Sequence, residues 1–494
     1  MAKKDYDVIV VGAGFGGSAC AGLLAKRGLK VLLVEKNARA GGKASTISRK
    51  GFEHTGWVVI SAPAVDTILQ KVLDELGMSD KAEVVSAPGK QGCFYKTHSG
   101  QYKAMPPMPD QTAMDPNVIF DWLEVKEEDR EESLRCLTEL TLMPLEEINK
   151  LDNMSFAEWM GQYKLPPPVI AFLLGPVADG CFVMPYDALS ASEAVRTLQD
   201  IFLRNGGIFC KGGFGKLADT YAEAVTVNGG KVMMRTRTEK ILVEGGKVTG
   251  VATDKGTFRA PIVISNAGIQ PTVLKLVGEE HFDKSYNNYV RELIPSLGFM
   301  GTRYFLNKKI TDVPYGVIFS DDSTWTLPRW ISEAKTLNLP DDITVWFEVP
   351  DNYDPGAAPP GKQVLMTGYI VPADPQMSAN EKKTWWDKGE EVLFRVFPDM
   401  PKYIEDQQNY SVKEVSKLTR DQVLPGQGGE CIGIGQYVGQ AGKDKPSAKA
   451  PVSGLFYVGC DAGGYGIGIH QATDSAVNVA DIVMKYHLMH TAGS

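Results

Sequence analysis

Asp7-Val8-Ile9-Val10-Val11-Gly12-Ala13-Gly14-Phe15-Gly16-Gly17 opens the stretch that decides the fold, and Lys30-Val31-Leu32-Leu33-Val34-Glu35 closes it. The β-branched run before Gly12 has the composition of a buried parallel strand. Gly12, Gly14 and Gly17 form G-x-G-x-x-G. The small residues from about Gly16 to Arg27 predict a helix closed by Gly28 as its C′ residue. Gly12 permits a tight turn, Gly14 lets the backbone approach a pyrophosphate, and Gly17 brings the helix against the strand. The N–H groups and positive end of that helix meet phosphates. Glu35, 21 residues beyond Gly14, can accept hydrogen bonds from ribose hydroxyls. A lone glycine motif says little. Flanked by strand and helix, with an acid ending the next strand, it predicts a dinucleotide site.

The chain has 494 residues, enough for about three domains and a sizeable core. A net charge of −8 and a pI near 5.5, with no basic face or tail, argue against nucleic-acid binding. Glycine, 51 of 494 residues, is clustered rather than periodic, which excludes collagen-like and low-complexity readings. Seven scattered cysteines without a C-x-x-C pair fit free thiols in a reducing compartment. No Cys/His cluster has zinc spacing, so no metal is expected. The charged start Met1-Ala2-Lys3-Lys4 does not read as a signal peptide. Val8–Ala25 is broken by glycines, and Leu165–Ala178 is shorter than the ~20 residues of a membrane span. The expectation is a soluble, cytoplasmic protein with room for a peripheral membrane contact.

After Glu35 comes Lys36-Asn37-Ala38-Arg39-Ala40-Gly41-Gly42-Lys43. This E-x-x-x-x-x-G-G spacing is similar to that of flavoproteins related to glutathione reductase and amine oxidase, and Gly41-Gly42 can run close to a ligand. Three further segments match in order. One runs from Lys211-Gly212-Gly213-Phe214-Gly215 through two hairpin signals to Ile262-Val263-Ile264-Ser265-Asn266-Ala267. Another is Gly454-Leu455-Phe456-Tyr457-Val458-Gly459-Cys460-Asp461, then Gly463-Gly464-Tyr465-Gly466-Ile467-Gly468 and a helix to about Tyr486. The loosest spans Lys164 to Glu193. Together they resemble the phytoene desaturase and carotenoid isomerase-like flavoproteins of the amine oxidase superfamily, over nearly the whole chain.

That resemblance implies an α/β fold: a Rossmann-like FAD-binding domain of glutathione reductase type with an interleaved α+β substrate domain. The FAD domain would comprise 1–70, 205–285 and 435–494, and the substrate or lid domain 71–204 and 286–434. FAD is the implied cofactor. Gly12, Gly14 and Gly17 would hold its pyrophosphate and Glu35 the adenosine ribose, with Phe15, Gly16 and Lys36 also cofactor-binding. Gly41, Gly42 and Lys43 would reach a phosphate or the flavin edge, and Thr238 the adenine. Asp461 would serve the ribityl or pyrophosphate region, and Asn266 and Gly459 would also be cofactor-binding. Gly466, Ile467 and Gly468 would lie against the isoalloxazine, where a helix N-terminus stabilises charge on reduced flavin.

Two departures concern the substrate rather than the cofactor. Where relatives show G-F-x-x-D-x-G-P, this chain reads Gly51-Phe52-Glu53-His54-Thr55-Gly56-Trp57, and the C-terminal turn lacks a proline. His54 and His470, placed by motif near the two flavin faces, and Tyr465 in the ring-contacting turn are the catalytic candidates; packing is the commoner role for such residues. Trp325, Trp330, Trp346, Trp385 and Trp386 could line a pocket, though an ordinary core is the commoner fate. Pro166–Leu174 reads equally as a membrane-facing entrance or as a buried helix with proline in its first turn. Helices are expected over Val65–Leu76, Glu124–Asn149 and Ala379–Phe397. Lys443, Lys445 and Lys449 read as a solvated basic loop.

No second strand–glycine–helix unit exists for NAD(P)H, so electrons enter or leave through the substrate cavity or a partner of unknown identity. The leading expectation is an FAD oxidoreductase acting on C–C bonds of a lipophilic, isoprenoid or carotenoid-like substrate, by hydride transfer at flavin N5. The alternatives are an amine oxidase using O2 and, from another class, an FAD-less binding protein similar to Rab-GDP-dissociation inhibitors.

Overall fold

The central strand of the main sheet is Val8–Val11. The five parallel strands run in the order Leu455–Tyr457, Ile262–Ser265, Val8–Val11, Val31–Val34, Lys231–Met233. Val8 pairs with Val31 on one side and Ile262 on the other. All four residues of each of these three strands are buried, which is why they read as continuous apolar runs rather than alternating ones. The computed structural model describes residues 5–86, 91–106 and 115–491. The start Met1–Lys4 therefore lies outside the described part.

Helix Phe15–Lys26 follows the glycine turn and packs between Phe214–Val227 and Gly468–Thr491. Gly17 makes this docking possible, because a Cβ there would overlap the Gly12 carbonyl oxygen. Gly28, at φ +94, ends the helix as expected. An antiparallel trio, Thr238–Glu244, Lys247–Thr253 and Gly256–Arg259, packs beside Ile262–Ser265.

A second sheet of seven strands carries the other layer. Its order is Ile404–Tyr410, Gly298–Leu306, Gln363–Val371, Val345–Glu348, Tyr315–Phe319, Gln91–Lys96, Tyr102–Ala104. Segment 71–204, where the sequence reading placed only helices, thus supplies two of this sheet's strands. Gln91–Lys96 carries a glycine and no alternation. It becomes a strand by pairing in parallel with Tyr315–Phe319, Cys93 opposite Val317, a partner remote in sequence.

Several local expectations need correction. The charged stretch 124–149 is two helices, Glu127–Leu142 and Leu145–Asn149, because Pro144 cannot continue the first. Pro166–Leu174 is the buried-helix alternative: Pro167–Leu174 forms a helix with proline in its first turn and Phe172, Leu173 and Leu174 inside. It runs on into a π-helical segment, Gly175–Phe182. Lys445 is not solvated; its Nζ lies 2.8 Å from Glu193 Oε1 and donates to the Gly464 carbonyl. Other boundaries agree closely. Ser378 and Glu381 form a capping box on Ala379–Val396, satisfying two helix-end amides at once.

Of the tryptophans, Trp325, Trp330 and Trp385 form a buried cluster, with ring centroids 5.2 to 6.4 Å apart. Trp386 faces elsewhere and donates to the Tyr410 carbonyl. Only Trp346 of the five reaches the cavity described below. No helix of the described residues is long and apolar enough to cross a membrane. All seven cysteines are free thiols, and no group of three metal-ligating side chains occurs among the described residues.

Candidate functional site

The carboxyl ends of the parallel strands open onto one cavity of about 650 Å³. Each strand hands it a loop: Gly12–Gly16, Glu35–Asn37, Thr236–Thr238, Asn266–Gly268 and Val458–Asp461. That is where ligands bind in open α/β sheets, since the loops there diverge and the following helices aim their positive ends inward. Helices Phe15–Lys26 and Gly468–Thr491 both begin in this wall, and neither has an acidic residue in its first turn. Two unneutralised helix N-termini therefore face the same space.

Side chains lock the loops together. The Glu35 carboxylate accepts from the Ala13 and Asn37 amides, each at 2.7 Å, so each oxygen keeps a lone pair for a further donor. In the orientation that satisfies both of its ends, the Asn266 amide accepts from Gly14 N at 3.2 Å and donates to the Val458 carbonyl at 3.0 Å. A Cβ at Gly14 or Gly459 would fall 2.6 Å from that amide. Both glycines thus serve the Asn266 clamp as well as a ligand.

Charge is concentrated at this end. Lys43 lines the wall and makes no hydrogen bond or ion pair with any described residue. Burial, with Arg420 adding repulsion, lowers its pKa. Asp461 is spoken for: it takes both contacts from Arg420 Nη2, at 2.6 and 2.7 Å, and the Ile269 and Ile434 amides. Asp421 gathers Lys36, Arg237 and Lys275. Burial works against its charge, but the three cations outweigh it and draw its pKa down to about 2.

The other arm is apolar, walled by Trp57, Val59, Phe94, Phe172, Phe202 and Trp346 among others. Gly180 is required there, because a Cβ would run into the Trp346 indole. Cys431 and Cys460 also line the cavity, and burial pushes both thiols up to about 11, so they stay protonated.

The wall brings together Gly12, Gly14, Phe15, Gly16, Glu35 and Lys36 with Gly41, Gly42, Lys43 and Thr238, Gly41 bridging directly to Gly14. Asn266, Gly459, Asp461, Ile467 and Gly468 complete this set. Gly17 and Gly466 stand behind it, Gly466 beneath the His470 ring.

The three acid/base candidates do not line the cavity. His54 is 2% exposed, packs against Phe305 with the rings tilted by 55° and donates from Nδ1 to the Thr55 carbonyl. Burial brings its pKa down to about 4. His470 is half-buried, with no partner at Nδ1 among the described residues. Tyr465, 40% exposed, lies between the Arg196 and Lys445 cations. Motif spacing set their distance along the chain, whereas the packing of a strand, a loop and a helix turned the side chains of His54, Tyr465 and His470 away.

The sequence reading missed Arg420, Asp421, Asn205 and the segment Trp57–Ala62. The first three stand in loops without any periodic signal. The apolar run Trp57-Val58-Val59-Ile60 directly after the altered motif was a usable clue.

A dinucleotide with two phosphates fits these residues: the glycine cradle has no room for side chains, two helix ends and an unpartnered ammonium supply positive potential, and Glu35 keeps acceptor capacity. Comparison with known proteins agrees. Over an alignment 544 positions long, gaps included, the chain is 22% identical to all-trans-retinol 13,14-reductase of Homo sapiens, covering 98% of this chain and 86% of that protein. With phytoene desaturase of Neurospora crassa it shares 25% over 425 residues, 78% of this chain and 68% of the other. The crystal structure of an oxidoreductase from Methanosarcina mazei superposes with a TM-score of 0.71 at 21% identity, covering 96% of this chain and all of that one. Residues 15–484 match the family described as flavin containing amine oxidoreductase. The chain belongs to that family, as an oxidoreductase whose cofactor is FAD.

Proposed function

We propose that this enzyme acts on carbon–carbon bonds of a lipophilic, isoprenoid-like substrate, desaturating, saturating or isomerising it. One observation carries the reading: a single cavity joins the phosphate-binding loops to an arm walled by aromatic and aliphatic side chains, while the titratable candidates stand outside it. The names of the retinol reductase and phytoene desaturase relatives support the same substrate class.

Bound FAD supplies hydride transfer at N5. The chain's own part is binding, orientation and exclusion of water. In this reading Gly12, Gly14, Gly16 and the start of Phe15–Lys26 hold the pyrophosphate, and Glu35 takes the ribose hydroxyls. Lys43 and the start of Gly468–Thr491 supply positive potential at the flavin. Trp57, Phe172 and Trp346 keep the reacting carbons dry. Residues 1–70, 205–285 and 435–494 act as the FAD-binding part, and 71–204 with 286–434 as the substrate part. The membership of the two large sheets supports this division. Cytoplasmic location with peripheral membrane contact belongs to the same proposal and is tested by co-sedimentation with vesicles.

The test is a visible spectrum of the purified protein with FAD, followed by anaerobic incubation with isoprenoid substrates. Bleaching or recolouring of the flavin with gain or loss of a hydrogen pair in the product, or a product of unchanged mass with a moved or reconfigured double bond, supports the reading. Rapid turnover of amines with O2 and indifference to isoprenoids would overturn it.

A further inference from the structure

The apolar arm contains a polar notch where two segments meet. Residues 61–65 and 204–208 are clasped together: Gly207 N and Ile208 N donate to the Ser61 carbonyl at 3.2 and 2.9 Å, and Ala64 N donates to the Asn205 carbonyl at 2.7 Å. Ser61 and Asn205 both belong to the cavity wall, beside Ile60, Ile201 and Phe202. Ser61 is 1% exposed, and its Oγ has no partner among the described residues. The half-buried Asn205 side chain likewise makes no hydrogen bond with any described residue.

Both residues are costly where they stand. An unpaired buried hydroxyl forfeits its bonds to water. Asn205 ends helix Ala191–Arg204 at φ +59, ψ 134, a region that side-chain-bearing residues rarely adopt. Glycine at 205 and alanine at 61 would suit the fold better. Polar groups kept at a cost in a cavity wall point to a ligand.

The wall also limits that ligand's charge. Its four cations, Lys36, Lys43, Arg237 and Arg420, line the cavity around Asp421, Asp461 and Glu430 at the dinucleotide end. Arg204, next to the notch, is turned to Asp200 and to the Val65 and Asp66 carbonyls. A carboxylate or phosphate head would find no free counter-ion here.

We propose that Ser61 and Asn205 form a head-group notch for an uncharged oxygen function, a hydroxyl or carbonyl, carried by the apolar substrate. This rests on the lipophilic-substrate reading above and makes it specific: an oxygenated isoprenoid rather than a plain hydrocarbon.

The test uses FAD-loaded protein and two probes, geranylgeraniol and the hydrocarbon of the same chain lacking its oxygen. Binding is followed by quenching of tryptophan fluorescence, since Trp57 and Trp346 line the cavity. Wild type prefers the alcohol by about tenfold. Ser61→Ala and Asn205→Gly each remove most of that preference while leaving thermal stability equal or raised, because each relieves a local cost. Equal affinity of wild type for the two probes, or variants that keep the preference, overturns the notch but not the lipophilic cavity. Variants that lose the preference only together with stability assign these residues a structural role and overturn it too. Binding of neither probe overturns both readings.

Discussion

Arg420 and Asp461 form a buried pair in the wall of the cofactor cavity, Nη2 within 2.7 Å of both carboxylate oxygens. Arg420→Leu strips the carboxylate of its cation without giving it water, at a cost of about 3–5 kcal/mol. Urea denaturation should show that loss, with weakened FAD retention alongside it. The pair also sets an acid limit. Burial opposes the Asp461 charge, but Arg420 holds the carboxyl below its ordinary 3.8. This stability is fully present above that value and is lost as pH falls through the depressed one.

His54 governs a different pH window. Burial puts its folded pKa near 4, against 6.5 when unfolded. Protons therefore bind the unfolded chain first, and stability falls as pH drops from about 6.5 toward 4, by about 3 kcal/mol in total. His54→Phe, packed against Phe305, should flatten that limb while flavin content stays unchanged. A steep loss of bound flavin in H54F would instead place His54 at the cofactor.

Gly17 and Gly28 separate close packing from backbone conformation. A Cβ at Gly17 meets the Gly12 carbonyl, whereas one at Gly28 meets nothing within 4 Å. Gly17→Ala should displace the helix, cost about 1–3 kcal/mol and release flavin. Gly28→Ala should cost about 1–2 kcal/mol through its left-handed φ alone and keep the flavin. Thermal melts paired with flavin absorbance distinguish the two.

Gly180→Ala addresses the substrate arm. The new methyl must push the Trp346 indole, which lines that arm. Isoprenoid affinity should fall about tenfold or more while FAD affinity holds, an outcome readable by titrating each ligand separately. Equal losses of both ligands would show that the two ends of the cavity are not separable.

The cofactor end was legible because its signals are local. A strand, a glycine turn and a helix adjacent in sequence must also be adjacent in space, and the glycines at 12, 14 and 17 answer to contacts within that unit or with Asn266. The substrate arm was not legible. Its wall draws Trp57, Phe172, Phe202 and Trp346 from four separate regions, and any one of them reads as core on its own.

Short-range order along the chain was thus enough to determine the parallel sheet, the dinucleotide loop and the flavin family. Tertiary structure alone decided that Gln91–Lys96 is a strand, that Asp461 is neutralised by Arg420, and that His54, His470 and Tyr465 stand outside the cavity. The physical reason is common to all three. Strand pairing, ion pairing and side-chain direction depend on partners brought in from distant parts of the chain, and a motif sets sequence spacing but not which partner will be there.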